Sequence, residues 1–134
     1  MRQTWRRLAV GFLVILAGMA VGGTAQATAP AAYKVSVTFS AEPNGGGPEG
    51  TGEHATVTIR STKAICRQRR SFTVAIEYAP GQEKTYVYRT DRAGRWSLDT
   101  AAPIGPGTVV VSVPVKRLDQ DHRCAAARTT VRLS

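Results

Sequence analysis

Across residues 33–133 apolar and polar side chains alternate with a period of two in one segment after another, and no stretch repeats its apolar residues at helical spacing. Such a chain folds into sheets with one face buried and the other wet. Tyr33, Val35, Val37 and Phe39 share a face in the first segment, against Lys34, Ser36 and Thr38. Ala55, Val57 and Ile59 alternate with Thr56, Thr58 and Arg60. After Cys66, residues Phe72, Val74, Ile76 and Tyr78 alternate with Thr73, Ala75 and Glu77. These two segments are expected to build the core. Tyr86 and Tyr88 oppose Thr85, Val87 and Arg89 in a strand without a decisively polar face, expected to be half exposed. Trp96 and Leu98 point inward from the next. Residues 108–115 form a valine-rich run that Pro114 ends at an edge or bulge, and Val131 and Leu133 face inward from the last strand.

Between the strands lie turn formers. Pro80-Gly81, Asp91-Arg92-Ala93-Gly94 and residues 103–107 each punctuate the pattern, and the second reads as a hairpin turn with Gly94 at positive φ. Residues 41–52 hold Pro43, Asn44, three successive glycines, Pro48 and Gly50, and read as a long mobile loop. Seven short strands in roughly 100 residues predict an all-β, two-sheet antiparallel sandwich, immunoglobulin-like or transthyretin-like.

The N-terminus reads as an address. Arg2, Arg6 and Arg7 precede an apolar stretch at residues 8–21, and Ala25-Gln26-Ala27 supplies small residues for cleavage. This is the pattern of a secretory signal peptide over residues 1–27, and the stretch falls short of the roughly 20 apolar residues that span a bilayer. Residues 28–134 are then one exported domain, secreted and possessing no membrane span, with cell-wall association as a further expectation. In that compartment Cys66 and Cys124 are expected to form a disulfide, since two cysteines allow one pairing and neither a Cys-x-x-Cys nor a Cys/His ligand cluster is present.

Charge narrows the partners. The eighteen Lys and Arg less Arg2, Arg6 and Arg7 leave fifteen beyond residue 27, against nine acids, a net +6. Such a surface favours anionic partners. Arg67, Arg69 and Arg70 surround Cys66, while Lys116, Arg117 and Arg123 lie near Cys124, so the bridge gathers six cations at one end as a candidate polyanion site. Anionic cell-wall polymer or an extracellular protein is the expected partner, with no sequence-specific nucleic-acid binding and a monomeric state. No cofactor or metal site is expected. Asp119-Gln120-Asp121-His122 reads as a solvated turn, Glu53-His54 as a surface pair, and no serine sits in a Gly-x-Ser-x-Gly context. The chain is therefore expected to bind rather than catalyse.

Several runs carry a resemblance. Residues 56–59, Cys66-Arg67-Gln68-Arg69-Arg70-Ser71-Phe72, Thr90-Asp91-Arg92-Ala93-Gly94-Arg95-Trp96, Gly107-Thr108-Val109-Val110-Val111 and Cys124-Ala125-Ala126-Ala127-Arg128 occur in the order found in secreted actinobacterial β-sandwich modules. The chain resembles bacterial immunoglobulin-like and carboxypeptidase-regulatory-like domains over about 78 residues. That resemblance implies a surface or adhesion accessory module bridged between the two cysteines, and it brings no catalytic residue. A lesser likeness, in signal peptide, length and hairpin, runs to the chromophore-carrying apoproteins such as neocarzinostatin, which have two disulfides and are acidic. It implies a small-ligand carrier, whose apolar cleft Tyr78, Tyr86 and Tyr88 are placed to line.

Overall fold

The structure is a computed structural model that describes residues 31–134. The expected signal peptide lies outside them. Two antiparallel sheets account for the seven expected strands. One comprises β2 (Ser36–Pro43), β3 (Glu53–Arg60) and β6 (Arg95–Asp99), in the order β2-β3-β6. The other runs β10-β7-β4-β5, from β4 (Ser71–Ala79), β5 (Gln82–Arg89), β7 (Gly107–Val113) and β10 (Ala127–Leu133).

Register follows the alternation. In the first sheet Val57 sits opposite Phe39 on one side and Trp96 on the other, and in the second Val74 sits opposite Tyr86 and Val111. A slip by one residue would turn each strand's apolar set to water, so the pattern itself fixes the pairing. The inward residues of both sheets then form one core. Val37, Val57 and Ile59 come from the first, and Phe72, Val74, Ile76, Val109, Val111 and Val113 from the second. Most are β-branched, which suits a pleated surface whose χ1 angles are already restricted.

Several details depart from the sequence reading. The first expected strand is split: β1 (Ala31–Tyr33) leaves the main sheets to pair in parallel with β9 (His122–Cys124), and β9 pairs in turn with β8 (Lys116–Arg117). Strands of two or three residues are too short to show a period. Tyr78 does not continue the buried row of Phe72, Val74 and Ile76, because the register shifts between Glu77 and Ala79 and leaves its side chain 44 % exposed. The turn at 91–94 closes no hairpin, since it carries the chain from β5 in one sheet to β6 in the other. There Gly94, at φ +83°, brings its carbonyl to the Ile59 N–H at 2.7 Å, and a Cβ would lie 2.4 Å from the Ile59 carbonyl oxygen.

The glycine-rich segment is also more tightly held than expected. Pairing of β2 with β3 extends to Pro43 and Glu53, which shortens the connection to residues 44–52. Asn44 organises it: its Oδ1 accepts from Gly46 N–H at 2.8 Å, and its Nδ2 donates to the Glu53 carbonyl at 3.0 Å and to Asp99 Oδ1 at 3.1 Å. Hydrogen bonds inside the segment replace the pairing that glycine and proline disfavour.

At the opposite end one helical turn, α1 (Ala64–Arg67), links β3 to β4 and carries Cys66. Cys66 is bonded to Cys124 on β9, with both residues fully buried and their Cα atoms 5.4 Å apart. The bridge closes a sequence separation of 58 residues. In the loop-entropy model this restricts the unfolded chain by about 4 kcal/mol, a large part of the ~5–15 kcal/mol that holds a domain folded. The double variant C66A/C124A is predicted to lose about 2–4 kcal/mol of unfolding free energy, read from full urea unfolding curves in which the m-value rises as the unbridged unfolded chain exposes more surface.

Candidate functional site

Two concave regions stand out, one at each end of the strands. The first is a cleft of about 430 Å³ between the inner faces of the two sheets. Its origin is an imbalance of strands. Tyr88 on β5 meets Trp96 on β6 with ring centroids 4.3 Å apart, so these two edge strands face each other without hydrogen bonding. Trp96 also makes an edge contact to Phe72 at 5.7 Å, and Tyr86 stacks on Tyr88 at 6.1 Å. Aromatic contacts of this geometry add to what area burial supplies. Val74 and Ile76 form the cleft's floor from β4, while Phe39 and Ala55 reach it from the first sheet.

Residues 100–104 make the remaining wall, and Glu53 holds it in place. The Glu53 carboxylate accepts from Ile104 N–H, its backbone N–H donates to Thr100 Oγ1 at 3.0 Å, and Thr100 N–H donates to the Glu53 carbonyl at 2.9 Å. Glu53 is therefore not the surface partner of His54. His54 Nδ1 instead lies 2.8 Å from Asp99 Oδ1 on the neighbouring strand. Hydrogen bonds from His54 and Asn44 hold the Asp99 carboxyl below its ordinary range. Tyr78, Tyr86 and Tyr88 all line the cleft, as does Leu98, which at 42 % exposure sits on its rim instead of in the core.

The second region lies at the disulfide end, and there the structure sorts the six expected cations. Arg70 is turned inward at 2 % exposure. Its Nη1 donates to the Cys66 carbonyl at 2.7 Å, and its Nη2 donates to the Pro114 and Ala125 carbonyls. One planar fork thus ties α1 to the segments on either side of β8 and β9. Burial lowers its pKa from the ordinary arginine value, yet a guanidinium remains charged. Arg70 is accordingly a structural clamp and presents no free donor face to a polymer. Arg67 is partly occupied as well, its Nη1 donating to the Ser61 carbonyl at 2.8 Å.

Arg69, Lys116 and Arg117 do come together, lining a groove of about 440 Å³. Arg123 is exposed and sits opposite Arg117 in the ladder without lining that groove. Besides the inward-turned Arg70, a fourth cation, Arg89, lines the groove and is not among the six expected from the sequence. It lies 19 residues after Arg70 in the sequence, and only the Ser71↔Arg89 register places it there.

The polar turn at 119–122 is satisfied from within. His122 Nδ1 lies 2.9 and 3.0 Å from the two Asp119 carboxylate oxygens, and Asp119 Oδ1 also accepts from Asp121 N–H. Among the described residues no group of three or more His, Cys, Asp or Glu is placed to hold a metal, and no helix is long and apolar enough to cross a membrane. No protein-family model, curated protein or solved structure matches the chain.

Two measurements check these assignments. Arg70→Ala leaves three carbonyls without their donor and is predicted to cost about 2–4 kcal/mol in urea unfolding, with Arg69→Ala costing less than about 0.5 kcal/mol. For Asp99 the folded carboxyl titrates lower than the unfolded one, so its contribution is present above the ordinary carboxylate pKa and lost as pH falls through the folded value. Thermal melts should therefore show Asp99→Asn below the parent protein at pH 6, with the gap closing as pH falls past the ordinary carboxylate range and through the lowered folded pKa.

Proposed function

We propose that the chain is an exported, disulfide-bridged binding module with an immunoglobulin-like sandwich fold, and that its cleft carries a small apolar ligand. The strand orders support the fold. With β2, β3, β4, β5, β6, β7 and β10 taken in sequence as A, B, C, C′, E, F and G, the two sheets read A-B-E and G-F-C-C′. We read this order as an immunoglobulin arrangement without strand D and with the additional strand C′ on the G-F-C sheet. The bridged cysteines fit the oxidising compartment that residues 1–27 are expected to reach.

A single observation carries the ligand reading: the cleft is lined by aromatic and aliphatic side chains and opens between two unpaired edges. Its polar side-chain groups are the Thr100 and tyrosine hydroxyls and the Trp96 indole N–H, and it has no carboxylate, imidazole, thiol or amine. Such a lining can hold a molecule and orient it by hydroxyls, but offers no nucleophile with an adjacent base. The volume falls in the ~300–1,000 Å³ range of small-molecule sites. Tyr78, Tyr86 and Leu98 remain 44, 39 and 42 % exposed at the cleft, apolar surface that a ligand would cover. The favoured occupant is flat and apolar, able to lie against the Tyr86–Tyr88–Trp96 row.

Titration with the uncharged dye Nile red tests this. Saturable binding at one dye per folded chain is predicted. Leu98→Asp, on the rim, should weaken it at least about tenfold, the consequence of exposing apolar ligand to a charge, while the melting temperature stays within a few degrees. Dye binding that appears only with unfolding, or that ignores Leu98→Asp, would exclude the cleft as the site.

A further inference from the structure

We propose a second site, independent of the cleft: the groove formed by Arg69, Arg89, Lys116 and Arg117 holds a linear phosphodiester polymer of the cell envelope, and the molecule docks on that polymer by its disulfide end. The fold separates charge along its length. Of the nine acids, Glu42, Glu49, Glu53, Glu77, Glu83 and Asp99 lie in the half of the molecule away from the disulfide, by strand register and loop position. Of the fifteen Lys and Arg beyond residue 30, Lys84 and Arg132 alone lie in that half. The remaining thirteen cations share the disulfide half with three acids, Asp91, Asp119 and Asp121. The net +6 is therefore the sum of +10 at one end and −4 at the other. The field of an approaching polyanion turns the positive end of such a molecule towards it.

The cations are also available. Among the described residues the salt bridges are His54–Asp99 and His122–Asp119, and no Lys or Arg lies within 4 Å of a carboxylate. Two of the three acids at this end are engaged by their own turns. Asp91 Oδ1 accepts from the N–H groups of Ala93 and Arg95, and Asp119 from Asp121 and His122. No carboxylate lines the groove, so its cations have no internal counter-charge there.

Shape and lining select among polyanions. Arg69 comes from the turn before β4, Arg89 from the end of β5, Lys116 and Arg117 from β8, and the clamped Arg70 and Ser71 lie between them. A concave site with cations from different elements suits a flexible chain that can enter it, whereas a bilayer presents a broad flat surface. No aromatic side chain lines it, and unpaired nucleic acid depends on such side chains to stack its bases. Guanidinium forks match phosphate oxygens two at a time, and three of the four cations are arginines. With export, which this site presumes, the phosphodiester chain it meets is an envelope polymer.

The test is fluorescence anisotropy of labelled poly(glycerol phosphate) with the full bridged protein across a salt series. Four phosphate contacts predict a slope of log affinity on log salt near −3. R89S/K116S should lower affinity at least about tenfold at 50 mM salt and halve the slope to about −1.5. The charge-conserving R89K should keep the slope near −3 and lose less affinity than R89S/K116S, and K84S/R132S, which removes the same charge from the other half, should bind within about twofold of the parent. The proposal is overturned by no binding at low salt, or by equal losses in R89S/K116S and K84S/R132S, which would mean net charge alone. Equal or tighter binding of phosphatidylglycerol vesicles or of a single-stranded oligonucleotide of matched charge would overturn it in favour of a lipid or nucleic-acid surface. Nile red titration of R89S/K116S is expected to be unchanged, which keeps the two sites separable.

Discussion

Three strands facing four is the constraint from which most of this molecule follows. Where strands of the two sheets cover one another, the inward valines, Ile59, Ile76 and Phe72 close into a single buried core. The first sheet ends at β6, and β5 on the opposite sheet has no complete cover. Its tyrosines lean towards Trp96, and the space left is the cleft. An additional strand beside β6 would bury those rings and convert the cleft into core. The same imbalance thus leaves the edge strands exposed and supplies the candidate binding site.

The opposite end is held by different chemistry. Here the elements are short, a single helical turn and a ribbon of two- and three-residue strands, and they bury little apolar surface of their own. A covalent bond and a buried guanidinium replace the missing core. The disulfide joins α1 to β9, and Arg70 satisfies three carbonyls from the segments around it. A charged group buried this way is stable only with its acceptors in place. Arg70 being taken up in this way leaves Arg69, Lys116 and Arg117 to face outward, joined by Arg89 from across the ladder. Structural and surface roles are therefore divided among adjacent arginines that look alike in sequence.

What could be read from the chain depended on range. The seven long strands were legible because each carries its own alternation, and the single possible pairing of Cys66 with Cys124 needed only a count. The ribbon strands β1, β8 and β9 were not, since two or three residues contain no period. The turn at 91–94 has hairpin chemistry, with Asp91 capping Ala93 and Arg95, yet it crosses between sheets. A turn's local hydrogen bonds do not specify which strand the chain pairs with next. Residues 41–52 looked unstructured by composition, and the Asn44 contacts that organise them reach to Asp99, 55 residues away.

The sequence by itself determined the all-β class, the faces that turn inward and the number of long strands, because side-chain alternation acts within a strand and needs no partner to be seen. Only the tertiary structure decided which arginine is buried, that Glu53 braces the wall of a cleft, that Arg89 completes a cationic groove, and that acids and bases separate to opposite ends. Each of those depends on register and on which sheet a strand joins. Register brings together residues distant in sequence, and the free energy of such meetings resides in contacts that no local segment contains.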